Sequence, residues 1–124
     1  MDTKLILVAE DDPVLKNLLG HTFAGKYQTL YARDGAEALA LFEKYKPALL
    51  MLDLLMPGVD GFAVLEKIRG RQDEFKSVPI IIVSNLGAEK DKQRARELGA
   101  TDYLVKAENS IDEIVARIAK ALGE

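Results

Sequence analysis

The chain alternates between short apolar runs and longer segments with helical spacing. The apolar, β-favouring runs are Lys4–Ala9, Tyr27–Ala32, Ala48–Leu52, Val78–Val83 and Thr101–Val105. Runs of this length, rich in Ile, Val and Leu and bounded by polar residues, predict strands. The segments between them predict helices. Asp12-Pro13 reads as an N-cap followed by proline at the first helical position, with Leu15, Leu18, Leu19 and Phe23 on one face. Gly35–Tyr45 brings Ala38, Leu39 and Phe42 together behind Asp34 as N-cap, and Phe62–Arg69 carries Leu65 and Ile68. Ala88–Leu98 is highly charged with few apolar residues, which predicts an exposed, weakly anchored helix. Ser110 caps a last helix striped by Ile111, Ile114, Val115, Ile118 and Leu122.

Five βα units in strict alternation predict a parallel sheet with helices on both faces. Near-continuous apolar strands such as Pro79-Ile80-Ile81-Ile82-Val83 fit a sheet covered on both sides. The units do not match one another in sequence, so the repetition is architectural only.

Composition narrows the function classes. A length of 124 residues fits one domain, expected over residues 1–124, with no room for a second of typical size. The absence of cysteine rules out thiol catalysis, zinc–thiolate sites and a disulfide framework, and the single histidine, His21, excludes a multi-histidine metal site. A net charge of −3, from 20 acids and 17 bases without a basic tract, predicts no nucleic-acid surface. Each apolar run falls far short of the roughly 18 residues a membrane helix needs. Met1-Asp2-Thr3-Lys4 leads into the first strand without the apolar region of a signal peptide, so the expected location is the cytoplasm.

In open α/β sheets, ligands bind beyond the carboxyl ends of the strands. Glu10-Asp11-Asp12 follows the first strand, Asp53 the third, Ser84-Asn85 the fourth and Lys106 the fifth. Carboxylates gathered there repel one another and call for a hard cation with oxygen ligands, Mg²⁺ above all. Lys106 adds a point charge suited to phosphate. Each residue also has an ordinary structural role. Asp12 reads as the helix cap, and Glu10 and Asp11 complement the positive helix end at about 0.3–1 kcal/mol. Asp53 and Ser84 suit turns, Lys106 a solvated strand end, Tyr103 an edge aromatic and His21 an uninvolved surface position. Their coincidence at successive strand ends is what argues for a site.

These residues resemble the receiver domain of two-component response regulators. The resemblance is carried by Leu7-Val8-Ala9-Glu10-Asp11-Asp12-Pro13, the stretch Leu52-Asp53-Leu54-Leu55-Met56-Pro57-Gly58-Val59-Asp60-Gly61, Val83-Ser84, and Tyr103-Leu104-Val105-Lys106. It covers essentially the whole chain. It implies a flavodoxin-like (βα)5 doubly wound sheet in the order 2-1-3-4-5. It also implies that Asp53 accepts a phosphoryl group from a histidine kinase or histidine phosphotransfer protein. Glu10, Asp11, Asp53 and the backbone carbonyl of Leu55 would hold Mg²⁺. Lys106 and Ser84 would meet the phosphoryl oxygens, and Tyr103 would be the switch aromatic, turning inward as Ser84 moves. The output would be a downstream protein on the fourth helix, fifth strand and fifth helix, without nucleic acid or membrane. Such a domain catalyses only its own phosphorylation and dephosphorylation.

Three positions depart from the family. Ala107 follows Lys106 where relatives usually carry a cis proline, and a cis bond to alanine costs about 3–4 kcal/mol over trans. Either the bond is trans, the loop reshaped and Lys106 at risk of misplacement, or a strained cis bond is kept for function. Leu55 and Leu86 are apolar where relatives often carry polar groups, which predicts slow autodephosphorylation. Two other functions fit less well. An aspartyl-nucleophile phosphohydrolase normally has a second Asp where this chain has Leu55, and a phosphorylation-independent scaffold would not need the full residue set.

Overall fold

The computed structural model describes residues 3–124. Met1 and Asp2, counted in the expected domain and in the leader-free start, lie outside the described residues. The strands are β1 (Leu5–Ala9), β2 (Gln28–Ala32), β3 (Leu49–Leu52), β4 (Ile80–Ser84) and β5 (Asp102–Val105). The helices are α1 (Pro13–Phe23), α2 (Gly35–Tyr45), α3 (Gly61–Arg69), α4 (Glu89–Glu97) and α5 (Ile111–Ala121). The strands are parallel in the order β2-β1-β3-β4-β5, the expected doubly wound arrangement.

Because side chains alternate across a strand, each strand feeds both faces of the sheet. Leu7, Leu50, Leu52, Ile80 and Ile82 pack on one side with Ala38 and Phe42 of α2, Leu65 and Ile68 of α3 and Ala95 of α4. Ile6, Val8, Met51, Ile81 and Val83 pack on the other with Leu19 and Phe23 of α1 and Ile114 and Ile118 of α5. Each fully enclosed Leu, Ile or Phe contributes about 1.5–3 kcal/mol relative to exposure. This is the reason for the continuous apolar runs in the strands.

Helix starts follow local side chains. Asp12 Oδ1 accepts from the Val14 N–H at 3.0 Å, Asp34 Oδ1 from Glu37 at 2.8 Å and Asp60 Oδ1 from Ala63 at 2.9 Å. Ser110 and Glu113 form a reciprocal capping box on α5. Helix α4 has no side-chain cap and buries only Ala95, as its composition predicts.

One expectation needs correction, and one element is new. Leu18 is 47% exposed instead of sharing the buried face. At 100° per residue it lies about 100° away from Leu19, while Leu15 and Phe23 lie within about 40° of it. The segment before β4 also carries a 3₁₀ turn, Glu74–Ser77, that apolar periodicity did not reveal. Among the described residues, no helix is long and apolar enough to cross a membrane.

Candidate functional site

The sheet ladder itself carries two acids into the interior. Beyond the last residues of β1 and β3, the Glu10 N–H donates to Ala32 O at 2.9 Å and the Asp53 N–H to Ala9 O at 3.0 Å. Each strand thus extends one polar residue past its apolar run, and both side chains are enclosed, with Glu10 at 0% and Asp53 at 2% exposure. Asp11 is exposed on the rim. Oxygens of Glu10, Asp11 and Asp53 all lie within 4.8 Å of one another.

Lys106, just past β5, reaches into this group. Its Nζ donates to Asp53 Oδ2 at 2.9 Å and to Glu10 Oε2 at 3.0 Å. Glu10 Oε1 is nearer still, at 2.8 Å, so both oxygens of this buried carboxylate face the ammonium. The other carboxylate oxygens are held by backbone: Glu10 Oε2 accepts from the Asp12 N–H and Asp53 Oδ1 from the Leu55 N–H, both at 3.0 Å.

Burial holds the Glu10 carboxyl above its ordinary range, outweighing the Lys106 ammonium and the Asp12 N–H that favour its charged form. Burial is also the largest influence on Lys106 and pulls it down. The hydrogen bonds and charges of Glu10 and Asp53 together exceed that pull, so the ammonium is stabilised overall. Three carboxyl groups against one ammonium form a donor set suited to a hard divalent cation.

Ser84 and Tyr103 sit beside this cluster and meet at Leu86. Ser84 is fully buried and its Oγ accepts from the Leu86 N–H at 3.4 Å. The Tyr103 hydroxyl donates to Leu86 O, so the ring stands inward against the loop after β4. Burial, followed by the charges of Asp91 and Asp53, pushes that hydroxyl up to about 12. Ser84 therefore bonds to its own loop and not to the carboxylates. Leu55 is 52% exposed at the mouth of the site, and Leu86 is half-buried.

The question raised by Ala107 has a definite outcome. Among the described residues no peptide bond is cis, so Lys106–Ala107 is trans, and a short 3₁₀ turn, Lys106–Glu108, follows β5. Lys106 is not misplaced by it. Two side chains without an expected role hold this turn: Asn85 Oδ1 accepts from the Ala107 N–H at 3.2 Å, and Asn109 Nδ2 donates to Val105 O at 2.9 Å. The available signal was an amide side chain next to Ser84, opposite a position whose N–H proline would have lacked.

Known proteins match this arrangement. Residues 6–119 fit the family model described as the response regulator receiver domain. The DNA-binding dual master transcriptional regulator RpaA of Synechocystis is 36% identical over 119 residues, covering 94% of this chain and 48% of RpaA. The chain spans about half the length of the curated relatives it matches. The BeF3-activated N-terminal receiver domain of Klebsiella pneumoniae RstA has a TM-score of 0.85 at 26% identity, covering 97% of this chain and 99% of that one. The Mn²⁺-bound form of response regulator Rcp1 has a TM-score of 0.78 at 27% identity, covering 97% and 90%. By the family match, carried on a sheet of the same strand order with its acids and lysine at the strand ends, the chain belongs to the response regulator receiver domain family.

Proposed function

We propose that residues 1–124 form a phosphoacceptor unit in which Asp53 takes a phosphoryl group from a histidine kinase or a histidine phosphotransfer protein. The observation that carries this reading is the Lys106 ammonium, 2.9 Å from Asp53 and shared with Glu10, inside a three-carboxyl cluster. A carboxylate oxygen of Asp53 attacks phosphorus and the P–N bond to the donor imidazole breaks. The imidazole leaves with the electron pair and an acyl phosphate forms on Asp53. Lys106 offsets charge on the phosphoryl oxygens, and the Leu55 N–H fixes the rotation of the Asp53 carboxylate. Glu10, Asp11, Asp53 and the Leu55 carbonyl would hold Mg²⁺. Bound there, Mg²⁺ supplies positive charge opposite the transferring group. The Mn²⁺-bound form of Rcp1 and the BeF3-activated receiver domain of RstA support a divalent ion and a phosphoryl-like group as ligands of this kind of domain.

Once phosphorylated, Asp53 presents new acceptor oxygens to Lys106 and Ser84. A shift of Ser84 toward them pulls on the Leu86 backbone, which Tyr103 also holds. A change from 1:99 to 99:1 between two states requires about 5.5 kcal/mol of differential stabilisation. The readout surface is α4, β5 and α5, where α4 is lightly anchored, and its direct partner is a protein in the cytoplasm. RpaA is described as DNA-binding, so a nucleic-acid target is open to a longer protein containing this domain. Turnover as a phosphohydrolase is disfavoured because Leu55 offers no general acid. Titration with beryllofluoride and Mg²⁺ tests the reading: binding by the wild type and none by Asp53→Ala is expected, and no binding by the wild type overturns it.

A further inference from the structure

We infer that Asn85 is a positioning residue for Lys106, holding from the β4–α4 loop the turn that delivers the ammonium to Asp53. The inference rests on the phosphoacceptor reading of Asp53. The first N–H groups of any helical turn lack partners within the turn. In the turn Lys106–Glu108 the capping position is Val105, which has no side-chain acceptor, and no side-chain cap is made there. Asn85 supplies that acceptor from a different loop, with Oδ1 3.2 Å from the Ala107 nitrogen. The bond exists only because residue 107 is not proline and retains its N–H. On the strand side of the turn, Asn109 Nδ2 donates to Val105 O at 2.9 Å. Lys106 lies between the two fastened residues, so its backbone is held on both sides while its side chain crosses to Asp53 and Glu10.

The geometry also ties together two parts of the site. Asn85 is the residue after Ser84, so the same short segment carries the buried hydroxyl and the acceptor for the lysine turn. The Asn85 side chain makes its hydrogen bond to the Ala107 N–H and none to the three carboxylates that would hold a cation. Its removal therefore separates lysine placement from metal binding.

The test is a double-substitution cycle on the full chain, with beryllofluoride and Mg²⁺ as probes and ¹⁹F NMR as the readout. Asn85→Ala is expected to weaken beryllofluoride binding about five-fold, the size expected of one lost hydrogen bond. Mg²⁺ affinity should not fall, because the displaced ammonium competes with the ion for Glu10 and Asp53. In the Ala107→Pro background, where the N–H is gone, Asn85→Ala should cause no further loss. Unchanged binding by Asn85→Ala, an equal loss in the Ala107→Pro background, or a parallel loss of Mg²⁺ affinity each overturns the inference. If Ala107→Pro does not fold, two other variants decide. Asn85→Leu, of similar size without an acceptor, should reproduce the loss. Asn85→Asp, measured at high salt to screen its charge, should retain binding. Equal losses from both would overturn it. A wild type that binds no beryllofluoride fails the phosphoacceptor reading instead, so the two failures are distinguishable.

Discussion

The Lys106 ammonium stands 2.9 Å from Oδ2 of Asp53, although 53 residues separate the two along the chain. Lys106 is 17% exposed at its side chain and Asp53 3%, so the pair is largely shielded from water. Removing one partner of such a pair leaves the other charge enclosed. Lys106→Met should therefore destabilise the chelator-treated protein by about 3 kcal/mol in urea unfolding. Mg²⁺ should restore part of the loss, since an ion that binds only the folded state stabilises it. Equal stability of variant and wild type in chelator would contradict the arrangement.

Gly61 places the start of α3 directly on the backbone of the Asp53 segment. A Cβ there would lie 2.6 Å from Asp53 O and 2.6 Å from Leu54 Cα, and backbone atoms at that distance have to move. Gly61→Ala should cost about 1–3 kcal/mol and weaken beryllofluoride binding by displacing Asp53. Gly87→Ala is the control, because its nearest contact would be 3.8 Å. Similar stability for the two variants would show that the α3 start has slack.

The Tyr103 hydroxyl gives a pH dependence. Its value in the fold, about 12, lies above the roughly 10 of an unfolded tyrosine. The fold thus favours the neutral form, and this contribution is complete below pH 10 or so and lost as pH rises through about 12. Tyr27 behaves likewise, raised to about 12 by burial and by Glu124. Ultraviolet titration should show late-ionising tyrosines, and Tyr103→Phe should remove one of them. A Tyr103 that ionises with the ordinary value would mean that its hydroxyl is not enclosed beside Asp91 and Asp53.

Leu55 and Leu86 bear on the lifetime of the phosphorylated state. Neither side chain can hydrogen-bond an attacking water, so autodephosphorylation should take minutes or longer. Leu55→Gln supplies a group able to orient that water and should accelerate hydrolysis by about ten-fold or more. Loss of label from phosphorylated protein measures both. A wild-type lifetime of seconds would contradict the assigned roles.

The strands and the acidic site were legible because their signals are local. Continuous runs such as Ile80-Ile81-Ile82-Val83 can only be buried on both faces, and a polar residue at the end of each run marks the sheet's carboxyl edge. Asp12, Asp34 and Ser110 announce their helices for a similar reason, since a cap bonds within three residues. Leu18 misled because a leucine satisfies periodicity without revealing where the buried face ends. The inward stance of Tyr103 and the bond from Ala107 to Asn85 were not legible. Both depend on β5 and the turn after it meeting the loop after β4, 17 and 22 residues away in the chain.

Every role assigned to the site depends on phosphoryl transfer to Asp53. Incubation of the full chain with acetyl phosphate and Mg²⁺, followed by intact-mass and peptide mass spectrometry, tests it most directly. One base-labile, hydroxylamine-sensitive phosphoryl group is expected on Asp53, formed only with Mg²⁺ and absent from Asp53→Ala. A wild type that gains no phosphoryl group, or an Asp53→Ala variant that gains it equally, would contradict the account.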